Sequence, residues 1–535
     1  MAEIDEKNVV PDSSDNKSEP GVELTIHRDE VELAHMGYVQ EIPRRFTLLS
    51  IFGIGYSVCG TATALIITLI AGLGSGGQAL YIWGQLLMYA VSFCVAISLA
   101  ELASTWPNAG GQCKSWYRPS FCIVVLKLTA SQTDYWSAML APPKMRHIIP
   151  FVVGTISWGS AVVTCASVTL GTAQMIVAMY TIHHPDANTD PWVVFVTYQI
   201  FNVFMFGFNC WERFINPISR GCLAVCVASA AIIFITMLAR DPTKQSASFV
   251  FQGFTNITGW DDGLAFLVAM LAINWGFSCL DAVTHMAEEI PDPKRNVPRA
   301  VIGTVSIGAL LSWPMAIAVM FTIQNVDDLL AGGTGVTSLD LFLQIFEGKT
   351  AGPLALQSLI VICMTASNFG IHTWQARLAW AFARDNGFPF SKYLKRIAPA
   401  PYEVPLWAHL WSCAFVALLG CLYLGSSIAF NSFISGGILM QYVSYSICII
   451  LLLKRGRDNI PHGPFWLGKI GLVCNVVTVC WTLFTLVFYS FPPYKTVTPS
   501  TMNYVSVVLV GFLGFFAGYY ALFARKTYTG PPIID

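Results

Sequence analysis

Charge is what this chain has least of. Only 11% of its 535 residues are Asp, Glu, Lys or Arg, against about 25% in soluble domains. The shortfall extends from about Phe46 to Phe523, which excludes a soluble enzyme or binding module of ordinary composition. The net charge of −1 leaves no basic excess for a nucleic-acid partner. Alternating segments of roughly ten residues, the mark of a membrane barrel, are missing. None of the 15 cysteines forms a CxxC pair. They lie scattered in apolar runs and read as buried free thiols. There is no nucleophile–base pair, no metal cluster and no phosphate loop. The glycine-rich stretch Gly72-Leu73-Gly74-Ser75-Gly76-Gly77 follows a helix, the wrong context for a dinucleotide fingerprint. Neither catalysis, a cofactor nor a metal is expected.

What the chain has instead is apolar length. Mean hydropathy is +0.58, and 55% of residues are hydrophobic. Runs of about 20 apolar residues recur, enough to cross a hydrocarbon core of about 30 Å. Backbone groups in lipid must be satisfied within their own segment, so these runs read as helices. Twelve spans are expected: 47–72, 78–104, 148–180, 192–210, 215–239, 263–288, 299–324, 354–383, 405–424, 427–453, 466–490 and 502–524. An even count puts both termini on one side. Placing them in the cytoplasm puts sixteen basic residues in inner segments, among them Arg44, Arg45, Lys294, Arg295, Lys454 and Arg455. The outer segments then hold only Arg240, Lys244, Lys349 and Lys495. That asymmetry is the positive-inside rule. The polar, acidic stretch Met1–Arg45 reads as a disordered cytoplasmic tail, 46–524 as the transmembrane domain, and 525–535 as a second cytoplasmic tail.

Two spans carry helix-breaking sequence. The first contains Gly53, Gly55, Tyr56 and Gly60. The sixth contains Trp275, Gly276, Phe277 and Asp281. Glycine costs about 1 kcal/mol inside a helix, although small residues also serve close helix packing. Breaks at matching positions of two five-helix halves point to a substrate site between inverted repeats. Gly53, Gly55, Tyr56, Trp275, Phe277 and Asp281 are therefore the candidate binding residues. An aromatic face plus a carboxylate suits a quaternary ammonium, which cannot donate strong hydrogen bonds. Charges at membrane depth need a reason. Asp281, His285 and Glu288 share a helical face and read as a cation contact, a proton relay or a structural network. Glu101 ends the second span and is expected to pair with a basic loop. Arg377 and Arg384 near the end of the eighth span read as an inner gate or anchor. Glu101, His285, Glu288 and Arg377 form the coupling or gating set.

Several stretches resemble a known family. They are Ser98-Leu99-Ala100-Glu101-Leu102, Trp106-Pro107-Asn108-Ala109-Gly110-Gly111-Gln112, the segment from Ser278 to Glu289, the segment from His372 to Gly387, and His462-Gly463-Pro464-Phe465-Trp466-Leu467-Gly468-Lys469. The chain is similar to the amino acid–polyamine–organocation (APC) superfamily, and within it to the fungal amino acid/choline transporters. The yeast-type choline permeases are its nearest likeness. The resemblance implies an all-α polytopic membrane protein of the LeuT-like kind. That fold has two inverted five-helix repeats, unwound first and sixth spans, and two extra helices. It also implies proton-coupled import of choline or a related quaternary amine at the plasma membrane. A permease for amino acids or γ-aminobutyrate on the same fold is the alternative. A signalling receptor on this scaffold would be expected to carry a longer cytoplasmic tail.

One stretch departs from the family. Relatives run from the glycine pair almost directly to aromatic-Trp-Ser, whereas here Cys113–Asp134 intervenes before Tyr135-Trp136-Ser137. The codons of Cys113-Lys114-Ser115 can contain GTAAGT, those of Leu128-Thr129 CTGAC, and those of Thr133-Asp134 an acceptor CAG. One in-frame excision then restores Gln-Tyr-Tyr-Trp. The stretch reads as a retained intron that packs poorly in a cytoplasmic loop.

Overall fold

The computed structural model describes residues 46–107, 132–187, 190–241, 243–499 and 501–531. Among these residues the fold is all helical, with one isolated β-bridge between Ser75 and Asn256. Eleven helices are long and apolar enough to cross a membrane. They match eleven of the expected spans to within a few residues. The exception is the sixth, which is α-helical only over Asp262–Trp275 and then unwinds. Helix length alone therefore does not supply the twelfth crossing.

The first span is the most buried and the last the least, so the first forms the axis and the last a lipid-facing periphery. The second span packs on the seventh, the third on the eighth and the fourth on the ninth. This is the pairing that a two-fold relation between five-helix halves would produce. Small residues let the axis approach its neighbours. A Cβ on Gly53 would sit 1.9 Å from the Ser219 carbonyl oxygen of the fifth span. One on Gly55 would sit 2.5 Å from Thr304 Oγ1 of the seventh. Close packing through small residues is how membrane helices gain contact without a hydrophobic drive.

Both described chain ends lie at one end of the bundle. Phe46 N donates to Glu289 O at 3.2 Å, and Thr529 N donates to Asp385 O at 3.1 Å. The segment after Ala524 continues as the short helix Arg525–Thr527. Tyr528 then packs edge-on against Phe151 at 5.2 Å. The expected N-terminal tail lies outside the described residues, as does the stretch up to Ser131. The end of the inserted stretch is described. Gln132–Asp134 open the helix Gln132–Leu140, with Thr133 and Asp134 buried. Thr133 Oγ1 meets Ser157 Oγ at 3.1 Å. Among the described residues every cysteine is a free thiol.

Candidate substrate site and gates

The first span breaks at a single residue. Helix Leu48–Cys59 ends and helix Thr61–Ile67 begins around Gly60, whose backbone is left-handed (φ 52°). Gly60 N donates to Tyr56 O at 2.8 Å, closing the first half. Glycine enters this conformation without the Cβ clash that burdens other residues. The sixth span breaks more widely. After Trp275 the chain turns through Gly276–Val283 and resumes as a 3-10 helix at Thr284–Glu289. Cys279 is left-handed there (φ 64°). It is pinned by its backbone N, which donates to Gln441 Oε1 at 2.8 Å. Gln441 Nε2 in turn donates to Thr164 Oγ1 at 3.3 Å. The two breaks touch where Cys59 Sγ donates to Ser278 O at 3.2 Å.

A small cavity lies between them. It is lined by Cys59, Gly60, Thr63, Trp275, Ser278 and Ser367, together with apolar neighbours. Its volume of about 10 Å³ holds about one water, so the centre is closed around itself in this conformation. A second cavity of about 400 Å³ lies on the far side of Trp275, between Thr68, Ala272, Ile438 and Asn503. Trp275 lines both cavities. No lysine, arginine or carboxylate lines the small one. The half-helices Leu48–Cys59 and Asp262–Trp275 both bring their C-termini to it. Helix C-termini carry partial negative charge, which favours a cation.

The structure distributes the expected site residues unevenly. Trp275 lies at the cavity. Gly53 and Gly55 lie inside the first half-helix and serve helix contact. Tyr56 and Phe277 are buried away from the cavity, and Phe277 meets Tyr89 edge-on at 5.2 Å. Asp281 is also off the cavity wall. Its Oδ2 faces His285 Nε2 at 3.0 Å, and its Oδ1 accepts from the Tyr445 hydroxyl. Both carboxylate oxygens are thus engaged by protein, and Asp281 fastens the unwound sixth span to the tenth.

The remaining charges close the end that carries the chain ends. Arg377 makes a two-pronged pair with Glu289, Nε–Oε1 and Nη2–Oε2 both at 2.9 Å. The same guanidinium reaches Glu212 Oε2 at 3.3 Å. All three are buried and join the eighth, sixth and fifth spans. Arg384 lies 3.6 Å from Glu288 and stacks over Trp380, its guanidinium carbon 3.5 Å from the ring centre. Glu101 pairs with Arg457 at 2.8 and 3.0 Å and accepts from Leu467 N at 2.8 Å. It clamps the second span to the loop before the eleventh, as expected of a partner to a basic loop. Sequence reasoning missed Tyr445, Gln441 and Asn274. Their signal was present: Gln441, Tyr442 and Tyr445 interrupt an apolar run, with Gln441 and Tyr445 one turn apart. Tyr442 donates to Asn274 Oδ1 at 2.8 Å.

Broken spans, a central cavity and ion pairs at one end are the parts of an alternating-access carrier. The pattern of the amino acid permease family matches residues 46–513. The chain belongs to that family. This permease is 38% identical to the choline transporter of Saccharomyces cerevisiae, over 97% of this chain and 90% of the relative. It is also 38% identical to the swainsonine transporter of Arthroderma benhamiae, over 90% of the permease and 91% of the relative. The GABA-specific permease of S. cerevisiae is 29% identical, over 94% and 86%. The permease is a membrane transporter and not an enzyme.

Proposed function

We propose that this permease imports choline or a related quaternary amine across the plasma membrane by proton symport. One observation carries the reading. The cavity between the breaks has an aromatic wall at Trp275, two helix C-termini and no cationic side chain. A quaternary ammonium is attracted by an aromatic face and by carbonyl dipoles and needs no hydrogen-bond acceptor. The likeness to a choline transporter supports the same substrate. The larger cavity beyond Trp275 is the approach from outside, and the small cavity must expand to take the substrate. Release inward requires Arg377 to part from Glu289 and Glu212. The linked Asp281, His285 and Tyr445 are the proton-carrying group. In this arrangement both termini face the cytoplasm, and tags at Ala2 and after Asp535 should resist external protease in intact cells.

A second reading, amino acid or γ-aminobutyrate transport, is favoured by one feature. The opening turn of helix Thr61–Ile67 reaches the same cavity through Thr63, and the partial positive charge of a helix N-terminus suits a carboxylate. Uptake of labelled choline, γ-aminobutyrate and several amino acids, in a host lacking its own permeases, separates the two. Saturable choline uptake that a protonophore abolishes is the expected result. Uptake of γ-aminobutyrate in preference to choline would establish the second reading.

A further inference from the structure

Away from the broken spans, three ligand-type side chains meet in the core. His372 belongs to the eighth span, Ala351–Arg384. His409 and Cys413 lie one turn apart on the ninth, Leu406–Gly425. All three are buried. One potential ligand atom from each lies within 4.8 Å of the other two. His372 Nδ1 is 2.9 Å from His409 Nε2 and 3.6 Å from Cys413 Sγ. An imidazole nitrogen offers one bonding direction, either a lone pair or an N–H. Two partners converge on this one, so a simple hydrogen-bonded pair leaves one of them poorly served. A single ion at the common point serves all three.

One neighbour favours a thiolate at Cys413. Gln375 Nε2 lies 3.9 Å from Cys413 Sγ and 3.5 Å from Cys165 Sγ of the third span. An amide N–H beside a ligating sulfur stabilises its negative charge. The Phe206 ring, with its centre 4.8 Å from that of His409, closes the cluster from the fourth span.

Charge chooses the kind of ion. Net charge at membrane depth is costly. Two neutral imidazoles and one thiolate around a monovalent ion sum to zero, whereas a divalent ion leaves one positive charge on the cluster itself. Thiolate and imidazole together suit a soft ion. We propose that His372, His409 and Cys413 form a binding site for a soft monovalent metal ion, copper(I). Binding breaks the Cys413 S–H bond, forms a copper–sulfur bond and releases the proton to water. The ion enters and stays as copper(I), and no electron is transferred. Sequence spacing could not show the site, because one ligand comes from a different span. The site lies on the eighth span between Ser367 at the cavity and Arg377 at the inner gate. A bound ion ties that span to the ninth and slows the carrier.

The test uses the full chain, purified into lipid nanodiscs under reducing conditions. It is loaded with copper(I) and washed with a competing chelator of moderate affinity. The expected result is one retained ion per chain, with an X-ray absorption spectrum of three-coordinate copper(I) bearing two nitrogens and one sulfur. Cys413→Ser and His372→Asn should each lower the retained copper at least about fivefold. Sulfur-only coordination in the unmodified chain would mean adventitious binding by its other cysteines and would overturn the site. So would retention unchanged in both variants. The unmodified spectrum decides the matter even if a variant fails to reach the membrane.

Discussion

The two broken spans solve one problem differently. The first breaks at Gly60 alone, and helix resumes at the next residue. The sixth unwinds from Gly276 to Val283 and is held open by long-range bonds. These run from Gln441 to Cys279 N and from Tyr445 to Asp281. A one-residue break needs only a residue tolerant of positive φ. A wide break frees backbone groups that lipid cannot satisfy, so it needs polar side chains from neighbouring spans. Glycine content therefore marks a break poorly. The first span has more glycines before its break, and two of them serve packing.

The largest effect should come from the wide break. Asp281→Asn keeps the shape but removes the charge that Tyr445 and His285 hold. A hydrogen bond to a charged group contributes about 1.5–3 kcal/mol. Choline uptake should fall by at least about tenfold at normal surface expression. Uptake equal to that of the unmodified chain would remove Asp281 from both the clamp and the proton path. Next comes the packing glycine. Gly53→Ala drives a methyl against the Ser219 carbonyl, and such overpacking costs about 1–3 kcal/mol. The thermal midpoint in detergent should drop clearly. Gly60→Ala meets nothing nearer than 3.4 Å and suffers only the left-handed backbone, about 1–2 kcal/mol. Its midpoint should drop less than that of Gly53→Ala. The reverse order would mean that the first span depends on its break more than on its packing.

Much of the fold was legible because apolar length and basic asymmetry are local signals. Eleven spans could be placed from composition, and the sixth was marked by Gly276 and Asp281. The site was less legible. Trp275 stood out because it adjoins the break. Asp281 stood out as a charge at depth, but its partner Tyr445 lies 164 positions away, a separation that no local pattern encodes. Gly53 and Gly55 pack against the fifth and seventh spans, and a packing glycine and a breaking glycine look alike until the neighbouring helix is known. The reading of residues 113–134 as a retained intron remains a proposal. In the excised chain a tyrosine takes the place of the buried Asp134. The spliced transcript should lack the segment, and a mature message that retains it would make the loop real.

The central claim is a cation held where the two breaks meet, against Trp275. Binding of labelled choline to the purified permease tests this most directly, comparing the unmodified chain with Trp275→Leu and Trp275→Phe. A cation–π contact contributes about 0.5–2 kcal/mol. Trp275→Leu should therefore bind choline roughly twofold to thirtyfold more weakly, and Trp275→Phe should recover part of the loss. Excess γ-aminobutyrate should compete poorly in all three. Choline binding unchanged in Trp275→Leu, or displaced from the unmodified chain by γ-aminobutyrate more readily than by other quaternary amines, would contradict the claim.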